Sequence, residues 1–178
     1  RKLYANIHTQ TFGGGEIRGQ VLPENYSFFT AALYARNEVQ PVPSTARGAV
    51  IVELSGARMT LSGSFSDLIS DFNPNVRGGA HLHAAPAGQN GGIQIEVATA
   101  LDANARGGVF EAASNTFALT ADQITALRTG GMYANVHTLT FGSGETRGQL
   151  LTDPNRFPNA TTITGPASGS TVVIEGSG

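Results

Sequence analysis

At 178 residues, 40% hydrophobic and only 13% charged, the chain can build one sizeable core and carries little surface charge. The net charge is -2 and lysine occurs once, at Lys2, which leaves no basic patch to hold nucleic acid. The absence of cysteine excludes a disulfide framework, thiol chemistry and thiolate metal sites, and no apolar run approaches the roughly 18–20 residues that span a bilayer.

In chain order, residues 1–23 read as two short extended runs around a Gly-rich turn, ended by Pro23. Residues 26–35 read as a strand, with Phe29, Ala31 and Leu33 alternating against Thr30, Ala32 and Tyr34. The two prolines at Pro41 and Pro43 make residues 36–43 an extended loop. Strands are expected at 48–54 and 58–65, joined by a hairpin turn at Ser55-Gly56. Asn73-Pro74-Asn75 marks a turn, 80–84 (AHLHA) a strand, 85–92 a loop and 93–98 another strand. One helix is expected near 120–128, because Thr120 and Gln123 have the spacing of a capping box and Gly130 can terminate it. Residues 152–165 read as a linker, and 164–178 as the opening strand of an immunoglobulin-like module.

The chain repeats itself. Residues 132–151 (MYANVHTLTFGSGETRGQLL) match 3–22 (LYANIHTQTFGGGEIRGQVL) at a constant offset of 129, so that Tyr133 corresponds to Tyr4 and Arg147 to Arg18. This reads 1–23 as the C-terminal hairpin of a preceding repeat, 24–152 as a complete domain, and 153–178 as a linker with the first strand of a following module. The sequence starts inside a motif, and we expect it to be a section of something longer. A lone two-stranded hairpin is marginal in water. The first copy would therefore pair with an upstream part, dock on this domain, or fill an edge of another subunit.

Four histidines carry the chemistry. His81 and His83 lie two apart, so in a strand both rings leave one face about 6–7 Å apart and can converge on one metal. His137, repeated as His8, could supply a third ligand, and imidazole suits copper, zinc, iron or nickel. Equally, such histidines can be surface residues or bond backbone carbonyls and do nothing more. Glu145 and Arg147, repeated as Glu16 and Arg18, read as structural clamps across the hairpin, with Glu38 or Asn37 as the expected partner. Glycines 142, 144 and 148 read as turn or bulge residues. No nucleophile with an adjacent base is present, and no catalytic residue is assigned.

Asn37-Glu38-Val39-Gln40-Pro41-Val42, Gly78-Gly79-Ala80-His81-Leu82-His83-Ala84-Ala85, residues 119–127, Tyr133-Ala134-Asn135-Val136-His137-Thr138 and Gly144-Glu145-Thr146-Arg147-Gly148-Gln149-Leu150 occur in an order that resembles the CHRD domain, named for its repeats in chordin. The likeness runs from about residue 26 to residue 151. It implies an extracellular β-sandwich, often in tandem, without established catalysis in bacteria; no residue identifies a growth-factor partner. Gly79-Ala80-His81-Leu82-His83 is also similar to the copper-ligand strand of copper/zinc superoxide dismutase, with His137 matching that enzyme's last copper ligand. The bridging histidine and zinc loop have no counterpart, so this likeness implies at most a mononuclear copper site.

The expected fold is an antiparallel Greek-key β-sandwich with one short helix. The expected function is a non-enzymatic, secreted, structural or adhesive module of a repetitive bacterial surface protein or self-assembling fibre, whose partners are neighbouring copies of itself. Two alternatives stand beside it. One is a copper-binding or redox protein, or one with zinc, using His81, His83 and His137. The other is recognition of a carbohydrate or protein ligand by loops 85–92 and 102–108.

Overall fold

The computed structural model describes residues 4–20, 26–152, 159–164 and 171–176. One compact unit is Ser27–Thr152, and the remaining described residues form a second. In chain order the strands are β1 (Tyr4–Ile7), β2 (Ile17–Gln20), β3 (Tyr26–Tyr34), β4 (Arg47–Ser55), β5 (Arg58–Ser66), β6 (Ala80–Ala84), β7 (Gly92–Glu96), β8 (Ala100–Leu101), β9 (Gly108–Phe110) and β10 (Thr116–Ala118). The helix α1 (Ala121–Arg128) follows, then β11 (Met132–Val136), β12 (Thr146–Gln149), β13 (Leu151–Thr152), β14 (Asn159–Thr164) and β15 (Thr171–Gly176).

In Ser27–Thr152 the strands join in one antiparallel sheet of order β7-β6-β11-β12-β3-β4-β5-β9-β8, with β10 on β5 and β13 on β3. The sheet curls on itself as a β-sandwich. The reason is visible in the core: Ala80 and Leu82 of β6 and Met132, Ala134 and Val136 of β11 share one buried cluster with Val50, Val52, Leu54, Met59, Leu61 and Phe65 from the other half of the order. Connections β5–β6, β7–β8 and β10–β11 cross between the halves, and β12 beside β3 brings the end of the domain against its beginning. Alternation sets which face is buried. Phe29, Ala31 and Leu33 are buried, whereas Thr30, Ala32 and Tyr34 are not. Each fully buried Leu or Phe contributes about 1.5–3 kcal/mol of transfer free energy.

The helix begins as the sequence indicates. Thr120 accepts from the Gln123 amide at 3.3 Å, and Gln123 accepts from the Thr120 amide at 2.9 Å. Gly130 closes it with a φ of 70°, in the left-handed region where a Cβ is disfavoured. Leu127 is buried, so the helix is pinned to the core by its last turn. Thr120→Ala removes the cap and is expected to cost about 1 kcal/mol in urea unfolding; an unchanged midpoint would show that packing alone holds α1. No described helix is long and apolar enough to cross a membrane.

Several expectations are corrected. The β4–β5 turn is Gly56-Ala57, since Ser55 still pairs with Arg58, and Gly56 takes the positive φ of 59°. Residues 35–37 of the Pro-rich segment form a 3₁₀ turn, with the Glu38 amide bonded to the Ala35 carbonyl. Strands β8, β9 and β10 carry too few residues for a readable alternation. Residues 159–164, expected in a linker, form β14 and pair with β15, consistent with the strand preference of the β-branched run Thr161–Thr164. In the same unit β1 pairs with β2.

Candidate metal centre

β6 is flanked by β11 and β7. Ala80 and Leu82 face the core, so His81 and His83 leave the opposite face, and a register shift against β7 falls between Leu82 and His83. On β11, Tyr133 is registered with His83 and Asn135 with His81, which aligns all of them with His137 just beyond the strand. β12 adds Arg147 opposite Asn135 and Gln149 opposite Tyr133. The outer face of three adjacent strands is therefore polar, yet His81, His83, Asn135, His137 and Arg147 are all buried. Loops cover it.

The chain between β5 and β6 comes down beside His137. The His137 amide donates to the Gly79 carbonyl at 2.8 Å, and its carbonyl accepts from Asn73 at 3.0 Å. Gly79 has φ +83°, and a Cβ there would stand 2.5 Å from the Phe72 ring. The loop between β6 and β7 closes over His83. A Cβ on Gly91 would strike the Ala84 carbonyl, and the Gly91 amide donates to the Tyr133 hydroxyl at 3.2 Å. The Tyr133 ring stacks on His83 with centroids 4.8 Å apart and 6° between planes.

Each imidazole has one nitrogen engaged by a backbone carbonyl. His81 Nε2 donates to Arg77 at 2.6 Å, His83 Nδ1 to Gly91 at 2.9 Å, and His137 Nδ1 to Gly142 at 3.0 Å. A carbonyl can only accept, so the proton of each neutral ring sits on that nitrogen. The other nitrogens, His81 Nδ1, His83 Nε2 and His137 Nε2, are buried and have no hydrogen-bond partner among the described residues. A ligand-atom set drawn from these three residues lies within 4.8 Å of one another. Ring centroids are 4.8 Å apart for His81–His137, 5.5 Å for His81–His83 and 6.0 Å for His83–His137. Burial lowers the pKa of all three, and His137 falls to about 4, so the rings are neutral at pH 7.

Three neutral imidazoles with ligand atoms within 4.8 Å of one another fit the donor set of a nitrogen-ligated metal, and carbonyl acceptors on the far nitrogens are the usual way such ligands are oriented. A metal about 2.0–2.1 Å from each nitrogen would draw the set inward. Left alone, each orphaned buried nitrogen costs about 1–3 kcal/mol.

The clamp residues reach further than expected. Arg147 lies 3.4 Å over the Tyr133 ring and donates to the carbonyls of Gln89 (2.6 Å) and Pro86 (3.4 Å) and to Asn90 Oδ1 (3.2 Å). Its guanidinium thus holds the loop over His83 through backbone carbonyls, its charge also acts on Glu38, and Asn37 donates to the Arg147 carbonyl at 2.9 Å. Glu145 accepts from Ser44 Oγ (2.6 Å), the Ile69 amide (2.8 Å) and Thr138 Oγ1 (2.8 Å). In the first copy Glu16 is exposed, and Arg18 covers the Tyr4 ring at 4.0 Å.

Glu38 was singled out only as a clamp partner. It is buried, and burial pushes its carboxyl up to about 7 against the pull of Arg147 and the Asn135 side chain. An acid whose folded pKa exceeds its unfolded value of 4.5 gives stability that is complete below that value and is lost as pH rises toward about 7. Glu38→Gln escapes this loss. Its stability relative to wild type is expected to rise between about pH 4.5 and about pH 7 by up to roughly 3 kcal/mol, read by urea unfolding. Parallel pH curves for the two proteins would contradict it. Sequence reasoning passed over Tyr133 and Asn135 as site residues, although they stand four and two positions before His137 and the strand period places all three on one face.

A curled antiparallel sandwich with a buried three-histidine cluster defines the class of protein: a β-module with the donor set of a metal site. The CHRD domain model matches residues 29–150, well over half the chain, and the chain belongs to the CHRD family. No curated protein and no solved structure gives a match.

Proposed function

We propose that the CHRD unit is a non-catalytic extracellular interaction module that holds one copper or zinc ion on His81, His83 and His137. The observation that carries this reading is the set of three buried ring nitrogens without partners, beside three that donate to backbone carbonyls. An all-nitrogen donor set favours copper or zinc over calcium or magnesium, which want oxygen. The likeness of the His81–His83 strand to the copper strand of superoxide dismutase supports copper. The ion would tie β6 to β11 beneath two loops. In this reading Glu145 and Arg147 are structural, holding those loops in place, and the domain presents its loops to partners. The repeat at 3–22 supports a tandem surface protein or fibre built from such units, secreted and adhesive. Recognition of a carbohydrate or protein by loops 85–92 and 102–108 has no comparable observation behind it.

Purified chain titrated with Cu(II) and with Zn(II), then dialysed, tests the site. One equivalent retained, and a Cu(II) electron paramagnetic resonance spectrum with nitrogen hyperfine structure that His83→Ala abolishes, are expected. Retention of less than about a tenth of an equivalent of either metal would overturn it.

A further inference from the structure

The three histidines offer neutral nitrogen and no counter-charge. Among the described residues, the group that can share an ion holds no carboxylate and no fourth side-chain ligand. It is also shut off from water: His81, His83 and His137 are 0%, 7% and 4% exposed, and each unpartnered ring nitrogen is buried. An ion entering this site exchanges its hydration shell for three imidazoles and keeps its full charge in the interior. In the Born picture the cost of that transfer grows as the square of the charge.

The surrounding charges oppose a dication further. The Arg147 guanidinium lies 3.4 Å from the centroid of the Tyr133 ring, and that ring stacks on His83 at 4.8 Å. Arg147 is 2% exposed, so salt and water screen it little, and its charge reaches His83. The carboxylates nearby return little. Glu96, whose charge reaches His81, is bound to Arg77 at 2.9 Å. Burial pushes Glu38, whose carboxyl feels Arg147, up to about 7, so below neutral pH it carries little charge. Coordination preference points the same way. Cu(II) favours a tetragonal set of nitrogen and oxygen donors and structural Zn(II) a tetrahedral four, whereas Cu(I), a filled-shell ion, is satisfied by three.

We propose that His81, His83 and His137 form a copper(I) site, which takes the singly charged ion in preference to Cu(II) and Zn(II), and that Arg147, acting through the Tyr133–His83 stack, is the positioning residue that sets this preference. The choice of ion rests on the metal reading above, that an ion is held here at all.

Dissociation constants decide between the ions. Cu(I), kept reduced with ascorbate under nitrogen, is competed against bicinchoninate, Cu(II) against nitrilotriacetate, and Zn(II) against a chromophoric chelator. Cu(I) is expected to bind at least about a hundredfold more tightly than either dication, which sets the reduction potential of the bound copper about 120 mV or more above that of free copper, at about 59 mV per tenfold for one electron. Arg147→Gln is expected to narrow the ratio of Cu(I) to Cu(II) affinity about tenfold. Arg77→Gln, at an exposed position, should narrow it about threefold by leaving Glu96 unpaired near His81, and it serves where Arg147→Gln folds poorly.

The repeated hairpin supplies the control. Gly15 donates to Phe12 at 3.0 Å and Glu16 to Ile7 at 2.7 Å, as Gly144 does to Phe141 at 3.0 Å and Glu145 to Val136 at 2.8 Å. His8 Nδ1 donates to the Gly13 carbonyl at 2.9 Å, as His137 Nδ1 does to Gly142. Yet His8 is exposed and the other three histidines lie in the other unit, so His8→Ala should move none of the constants. Either dication bound as tightly as Cu(I) would overturn the choice of ion and leave the site standing. A ratio unmoved in every variant that folds would overturn the control assigned to Arg147. Failure of all three ions to bind would overturn the site itself.

Discussion

Loading the chain with copper or zinc is expected to raise its melting temperature by about 12–20 °C. A ligand bound only by the native state at about a thousand times its dissociation constant stabilises by about 4 kcal/mol, and for a domain of this size each kcal/mol moves the transition by roughly 3–5 °C. His81→Ala, His83→Ala and His137→Ala should each remove nearly all of the rise. The set is minimal: these three are the only group of three or more metal-ligating side chains close enough to share an ion among the described residues. His8→Ala should leave the rise intact, because His8 is exposed in the other unit. Differential scanning calorimetry with and without a chelator measures this. A rise that persists in His83→Ala would place the ion elsewhere.

Arg147→Ala is expected to destabilise the domain by about 3–5 kcal/mol, among the largest effects of any single truncation. Its guanidinium is buried, and removing it strands several groups at once. The Pro86 and Gln89 carbonyls and Asn90 Oδ1 lose their donor, and the Tyr133 face loses the cation above it. The Glu38 carboxyl loses the positive charge that partly offsets its burial. Arg147→Lys should recover less than half, because a point charge on a flexible stem cannot reproduce a planar fork stacked on a ring. Arg18→Ala is the internal comparison: the same residue of the same motif, exposed, with no measurable effect expected on the main unfolding transition. Urea denaturation separates the three variants. A loss below about 1 kcal/mol for Arg147→Ala would mean that the loop over His83 is held by its own backbone.

Both results turn on how the polar face of β6, β11 and β12 comes to be buried, and that was only half legible in the sequence. Alternation at Phe29–Leu33 and Met59–Leu61, the capping box at Thr120 and the strand AHLHA could be read because each depends on neighbours a few residues away. The short strands β8 to β10 could not, since two or three residues carry no period.

For the site, the sequence by itself determined that His81 and His83 share a face and that His137 recurs in a repeated hairpin, because side-chain direction in a strand has a period of two. It also determined the turn of that hairpin, which forms with the same bonds in both copies. Only the tertiary structure decided that the three rings meet, since β6 and β11 are neighbours through a crossover that no local pattern encodes. Only it decided which ring nitrogens are free, because the carbonyls of Arg77, Gly91 and Gly142 that take the other protons come from three separate loops. It likewise buried Glu38 and Arg147 near one another from opposite ends of the domain. Such contacts between distant residues depend on the way the sheet curls, and curling is a property of the assembled strands.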